Sequence, residues 1–498
     1  MRFEPSDEKD LELRGITTAQ IAEVVYRFTN QTLPIVLERP CTSGDGIVVL
    51  KASETKYYHD FFDEKSSSNS ILKFVPASGA ASRMFKHLYN YKESNTDELT
   101  EEFIVNFDLF PFYNELQKQL LEKGISLSSL IEENKWKDIF NYILEEPLRY
   151  GHFPKGLIPF HAYDGDVTRT AFEEHMFEAV DYGREKDGTC RIHFTLAPHQ
   201  VKNVMSFLKE KASNFPYEKF ILDHSIQLAS TDTPAIDRSN ELVRDAENKI
   251  VFRPAGHGAL IYNLQELSED IIFIKNIDNV TNSSQKGESI FYKKVLAGLL
   301  IELKENTDRI LKSVDEFGED QIQEALRFIG RWFVADVSFG MNPEQSRQFI
   351  KHQLSRPIRV CGMVKNEGEP GGGPFWVKSS DGYISKQIVE RSQVDHHNVK
   401  QMKVLSGSTH FNPVDIVCTL KDEHGHVYDL QKYIDHSSGF ISEKFLDGKV
   451  IKALELPGLW NGSMALWNTV FVEVPVGTFN PVKTVNDLLR PGHQPACD

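Results

Sequence analysis

Short runs of apolar and β-branched residues recur along the chain: ILKFVPA from residue 71, CRIHFTLA from 190, KIVFRPA from 249, DIIFIKNI from 270 and IRVCGMV from 358. Their length and composition predict strands, and nearly continuous hydrophobicity predicts strands covered on both faces. Between them lie stretches with a 3.6-residue repeat, such as HQVKNVMSFLKEKA from 199, which predict helices. Strands alternating with helices define a mixed, mostly parallel α/β sheet flanked by helices, in which ligands gather at the carboxyl ends of strands.

Two segments interrupt the alternation. Residues 87–150, with DELTEEFIVNFDLFPFYNELQKQLLEKG, and residues 284–356, with KVLAGLLIELKENTDRILKSV, carry apolar positions at helical spacing opposite charged faces and predict helical insertions. Residues 1–70, with the helical TTAQIAEVVYRFTN, are expected to pack on the body as an N-terminal extension. The core is then 71–489, with 490–498 as a tail.

The first strong strand ends in Ala77, Ser78, Gly79, Ala80, Ala81 and Ser82, with Arg83 next. Small residues let backbone N–H groups approach a phosphate closely, and a following helix would add the positive end of its dipole. The turn has neither the Lys-Ser/Thr ending of a P-loop nor a GxGxxG. Other strand ends repeat the theme: FPKGLIPF places Lys155 in a Pro-Lys-Gly turn, RPAGHGAL is again small-residue rich, NIDNV ends in Asp278, and FNPVKTVNDLL carries Lys483.

Composition narrows the field. At 498 residues, 40% hydrophobic and 26% charged, the chain is an ordinary folded protein of enzyme size. A net charge of -16 argues against a general nucleic-acid binder, so an anionic ligand must meet a local basic site. The five scattered cysteines show no CxxC spacing, which predicts neither a disulfide framework nor zinc. No apolar run approaches membrane-spanning length and the N-terminus is acidic and polar, so a cytoplasmic protein without membrane partners is expected.

These segments, in order, resemble the UDP-sugar pyrophosphorylases, GT-A-type sugar-phosphate nucleotidylyltransferases, and the architecture also resembles a poorly characterised bacterial family of unknown function. PASGAASRM is similar to the family's L-x-G-G-x-G-T-R loop, with Ser78 and Ala81 at glycine positions. The resemblance implies that Ala77, Ser78, Gly79 and Ala80 bind nucleotide and that Arg83, Lys155 and Lys483 are catalytic, with Asp487 in support. RPAGHGAL resembles P-x-G-H-G-D, implying nucleotide contacts from Pro254, Gly256, His257 and Gly258, with Ala259 at the acidic position; Gln227 is implied as a further nucleotide contact. NIDNV resembles N-x-D-N-L, which implies Asp278 as a Mg²⁺ ligand and Asn279 as a sugar contact. The segments around EPGGGPFWVKSSDGYISKQIVERSQVD and HFNPVDIVCTL imply sugar contacts from Glu369, Gly372, Glu390 and Asn412.

The expected reaction joins a nucleoside triphosphate to a sugar 1-phosphate, releasing pyrophosphate, with uridine implied by the resemblance alone. A GT-A glycosyltransferase, which has no attacking phosphate to hold and usually shows a D-x-D pair, and a catalytically weak nucleotide-sugar-binding protein are the alternatives. The base, the sugar and the oligomeric state are left open. The histidine-rich DEHGHVYDL and DHHNV lack the i, i+4 spacing of an H-E-x-x-H site and read as surface turns, and Trp460 and Trp467 of PGLWNGSMALW read as core.

Overall fold

A computed structural model describes residues 3–30, 34–91, 97–337, 340–369, 371–379, 382–446 and 449–495. The chain divides into two compact units. One comprises residues 1–65, 226–272 and 295–474, the other 66–225, 273–294 and 475–498.

The second unit is built on the strand Ile71–Pro76, which runs parallel to Thr189–Leu196, with Lys219–Ile226 beyond it. The strand Ile271–Lys275, buried at all five positions, lies on the other side of Ile71–Pro76. Burial on both faces explains why these runs are continuously apolar instead of alternating. Residues 97–150 form a succession of short helices, Glu98–Val105, Tyr113–Glu122, Leu127–Glu132 and Trp136–Leu144. Phe103 and Phe140 on these helices, with Phe107 and Phe110 in the turn after the first of them, join Phe85, Phe172 and Phe194 in one hydrophobic core. The helix Ala171–Tyr182 begins in a reciprocal capping box of Thr170 and Glu173.

The first unit centres on Ile358–Lys365, parallel to Asn468–Glu473 and antiparallel to Asp415–Thr419; Gly46–Val48 extends the parallel edge. A hairpin of Gly373–Lys378 and Ile384–Val389 pairs with Leu37–Pro40. Residues 284–356 are largely helical, through Gly287–Ser313, Glu319–Trp332 and Pro343–Leu354. The mixed, mostly parallel sheet flanked by helices is therefore the fold that the pattern predicts.

Two local expectations are corrected. KIVFRPA contributes only the two-residue strand Phe252–Arg253, paired with Thr233–Pro234, because Pro254 has no N–H to extend the ladder. The small-residue turn opens no regular helix: a 3₁₀ turn, Ala81–Arg83, is followed by the single helical turn Lys86–Tyr89, so no helix dipole of useful length faces Gly79. The four described cysteines are buried and free, Cys497 lying outside the described residues. No helix among the described residues is long and apolar enough to cross a membrane.

Candidate functional site

In the second unit, four segments far apart in sequence meet at the carboxyl ends of Ile71–Pro76 and Ile271–Lys275. The small-residue loop and the Pro-Lys-Gly turn are stitched by backbone hydrogen bonds: Ala81 N–H donates to Phe153 O at 3.1 Å and Lys155 N–H to Gly79 O at 3.0 Å. Ile277 N–H donates to Pro76 O at 3.2 Å, which sets Asp278 beside the same loop. The C-terminal segment closes the group: Val482 N–H donates to Asp278 O at 3.0 Å and Val485 N–H to Met84 O at 3.1 Å.

This backbone frame carries the side chains. Lys155 Nζ donates to Asp278 Oδ2 at 2.7 Å, the two side chains being 12% and 24% exposed, so the pair is accessible to a ligand. Arg83 and Lys483 are exposed, and neither forms an ion pair among the described residues. Asp487 Oδ2 accepts the N–H groups of Lys483 and Thr484, at 2.8 and 2.7 Å, and so fixes the turn that presents Lys483. Ser78, Gly79 and Ala80 are exposed while Ala77 is buried, and among the described residues other than its chain neighbours nothing lies within 4 Å of where a Cβ on Gly79 would stand. Asn279 faces inward: its Oδ1 accepts Asn480 N–H at 2.9 Å, and its Nδ2 is buried without a partner among the described residues.

A single carboxylate is a sufficient protein anchor for Mg²⁺, which keeps most of its coordination for water and phosphate oxygens. Asp278 is chemically suited to that part. Among the described residues no three His, Cys, Asp or Glu side chains converge as a metal cage.

The remaining candidates fall in the first unit. His257 stacks on Trp460 at 4.1 Å and an interplanar angle of 17°. Leu459 N–H donates to its Nδ1 at 3.0 Å, so the neutral ring carries its proton on Nε2, and burial holds its pKa below the usual value against the opposing pull of Glu390 and Glu455. Asn461 Nδ2 donates to Glu390 Oε1 at 2.8 Å. Asn412 N–H donates to Gly372 O at 2.8 Å, and Asn412 Oδ1 accepts Val414 N–H at 3.0 Å. Val414 sits at φ 59°, a costly conformation for a β-branched residue.

Glycines make this approach possible. A Cβ on Gly258 would lie 2.2 Å from Pro457 O, and one on Gly458 would lie 2.5 Å from His257 Cε1. Gly256 has φ +80°, a region glycine enters freely. Beneath the loop, the fully buried Arg359 donates from Nη1 to Trp460 O at 2.6 Å and from Nε to Thr469 Oγ1 at 2.9 Å.

The structure thus brings Gly372, Glu390, Asn412 and His257 together. Other candidates have local roles: Glu369 Oε2 accepts Glu367 N–H at 3.0 Å within its own loop, Gln227 Nε2 donates to Thr231 Oγ1 at 3.3 Å, and Pro254 is exposed. Trp467 is buried as expected, but Trp460 is only half-buried and belongs to the His257 stack instead of the core. Asn461 escaped the sequence reading, its only signal being the small residues around it in PGLWNGS. The turn at 422–430 is a hairpin about Gly425, with φ +85°.

The mixed α/β fold is similar to that of the UDP-N-acetylglucosamine pyrophosphorylase of Trypanosoma brucei, solved in complex with an inhibitor, with a TM-score of 0.54 and 12% identity over 98% of this chain and 79% of that one. Similarity extends to a mutant UDP-glucose pyrophosphorylase of Leishmania major, with a TM-score of 0.45 and 14% identity over 97% and 77% of the two chains. It extends also to the UDP-glucose phosphorylase of Trypanosoma brucei, with a TM-score of 0.45 and 12% identity over 97% and 77%. No curated protein matches in sequence. The chain belongs to the family described as a domain of unknown function, DUF4301, whose model matches residues 4–494.

Proposed function

We propose that this protein is a sugar-phosphate nucleotidylyltransferase, most simply of the uridylyl-transferring kind. The observation that carries the reading is the convergence of Gly79, Arg83, the Lys155–Asp278 pair and the Lys483 turn at the ends of adjacent strands. The fold it shares with a UDP-N-acetylglucosamine pyrophosphorylase lends support.

In the proposed reaction a phosphate oxygen of the sugar 1-phosphate attacks the α-phosphorus of the triphosphate. The new P–O bond forms as the bond from the α-phosphorus to the β-phosphate's bridging oxygen breaks, and pyrophosphate leaves with that electron pair. Two anions must be brought in line, so the protein's task is positioning and charge neutralisation. Arg83, with the exposed backbone of 78–80, holds the departing β- and γ-phosphates. Lys155 and Lys483 neutralise the α-phosphate and the attacking phosphate. Asp278 would hold Mg²⁺, whose chemistry when bound is charge neutralisation on phosphate oxygens. In the absence of substrate Asp278 restrains Lys155, keeping its ammonium at the place where phosphate arrives.

The test is pyrophosphate release from each common nucleoside triphosphate with a panel of sugar 1-phosphates. One productive pair is expected, with Lys155→Ala and Lys483→Ala each slower by about a hundredfold, the scale for losing one preorganised donor. Undiminished turnover in both variants, or nucleotide binding without pyrophosphate release on any pair, would defeat the reading.

A further inference from the structure

The helices Gly287–Ser313 and Glu319–Trp332 line one cavity, which lies wholly within the first unit. On one helix the lining stripe is Glu302, Asn306, Arg309 and Ile310, at i, i+4, i+7 and i+8. On the other, Gln321, Glu324, Phe328 and Arg331 share a face with Ala325, the smallest residue of the lining. A seam between packed helices is normally filled by apolar side chains at close to crystal density. Here polar stripes leave a space of about 290 Å³, walled by the buried Tyr58, Phe317 and Trp332.

The pairing of its charges is unusual. Glu302 is occupied by neutral hydroxyls, Tyr57 OH donating to its Oε2 at 3.0 Å and Tyr58 OH to its Oε1 at 3.2 Å. Neither arginine of the lining pairs with a carboxylate. Arg309 Nη2 donates to Asn306 Oδ1 at 3.0 Å, and Arg331 lies over the Trp332 ring, 4.9 Å from its centroid, with no hydrogen bond or ion pair among the described residues. Burial and Glu302 raise the Tyr58 pKa and the Arg331 charge opposes that rise, so Arg331 is felt inside the cavity. Both guanidiniums are thus steered by neutral groups, with most of their N–H donors open to a ligand. Glu324, the remaining carboxylate of the lining, is also unpaired among the described residues.

We infer that this cavity is an accessory binding site for a small organic anion, a phosphomonoester or a carboxylate, held by Arg309 and Arg331 and presenting a hydroxyl or amino hydrogen to Glu324. The planar fork of arginine matches either oxyanion, and two forks with few protein acceptors are preorganised for one. A volume of about 290 Å³ stands at the lower edge of small-molecule sites and is too small for a whole nucleotide sugar. Arg83, Lys155, Asp278 and Lys483 all belong to the other unit, and the inference stands whether or not the protein is a nucleotidylyltransferase.

The test is calorimetry on the full chain at fixed ionic strength, with inorganic phosphate, glucose 6-phosphate and citrate as probes. Wild type should bind glucose 6-phosphate or citrate, and whichever binds names the oxyanion. Arg309→Gln and Arg331→Gln should each weaken that binding by roughly tenfold or more, the scale of a charge-assisted hydrogen bond. Both side chains are exposed, so the urea midpoints of these variants should match wild type and keep lost binding distinct from lost fold. Glu324→Gln, which removes a like charge, should tighten inorganic phosphate, and Lys155→Ala should leave the arginine-dependent binding unchanged. No probe bound by wild type, affinities indifferent to both arginines, or binding lost only in Lys155→Ala would each overturn the inference.

Discussion

Lys73 and Lys275 stand on adjacent strands with 1% exposure each and share one carboxylate: Glu178 Oε2 accepts from Lys73 Nζ at 2.6 Å and Oε1 from Lys275 Nζ at 2.7 Å. Burial pushes the Lys73 pKa down to about 7, and the two lysines hold the Glu178 carboxyl well below its usual range. Nothing in ILKFVPA or DIIFIKNI marks these lysines as interior, because lysine is almost never fully buried and a strand pattern tolerates one at its edge. The network adjoins the candidate site, since Lys73 Nζ also donates to His175 O at 3.2 Å and His175 Nε2 donates to Ile277 O, next to Asp278. Removing one member of a buried charge set leaves the others uncompensated, so Glu178→Gln should destabilise the fold by about 3–5 kcal/mol. Replacing all three by Met, Leu and Met should cost far less. Urea denaturation of both variants measures the difference; equal losses would mean that packing, not charge, dominates here.

At the scale of elements, the strands were readable because burial on both faces writes itself into the sequence as unbroken hydrophobicity, as at Ile271–Lys275. The long helical stretches were readable for the complementary reason, a single apolar face. What the pattern withheld was where loops meet. The segment 457–461 looks like a core turn, yet glycines at 256, 258 and 458 let it lie against 255–259, with Leu456 N–H donating to Ala255 O at 3.0 Å. Proximity across about two hundred residues has no local signature. Gly258→Ala is the sharpest test of this junction, because the added carbon would lie 2.2 Å from a carbonyl oxygen, and backbone cannot rotate aside as a side chain does. A loss of about 1–3 kcal/mol, typical of overpacking, is expected in thermal or urea unfolding. Unaltered stability would show that the two loops part without cost.

Across the whole molecule, Arg83 and Lys483 are 400 positions apart, and only the returns of the chain to the second unit at 273–294 and 475–498 bring Asp278 and Lys483 to the small-residue loop. The sequence displayed each residue and its chemistry, but their assembly depends on pairing that no window of sequence contains. The last of these returns is anchored by a buried histidine pair, His161 Nε2 and His493 Nδ1 at 2.9 Å, with His161 Nδ1 at 2.9 Å from Glu174 Oε1. Burial and the neighbouring His161 and Arg490 hold the His493 pKa down to about 3, and burial lowers that of His175, His257, His410 and His436 as well. A histidine depressed in the folded state takes up its proton first in the unfolded chain, at about pH 6.5. Its contribution to stability is therefore complete above that value and is lost progressively as the pH falls toward the folded-state pKa. The urea midpoint should fall steadily from pH 7 to 5, before most carboxylates titrate, and His493→Gln should flatten part of that slope while lowering stability at pH 7. A midpoint constant over this range would mean that the histidines accept protons without unfolding, and that the C-terminal segment presenting Lys483 stays in place whatever their charge.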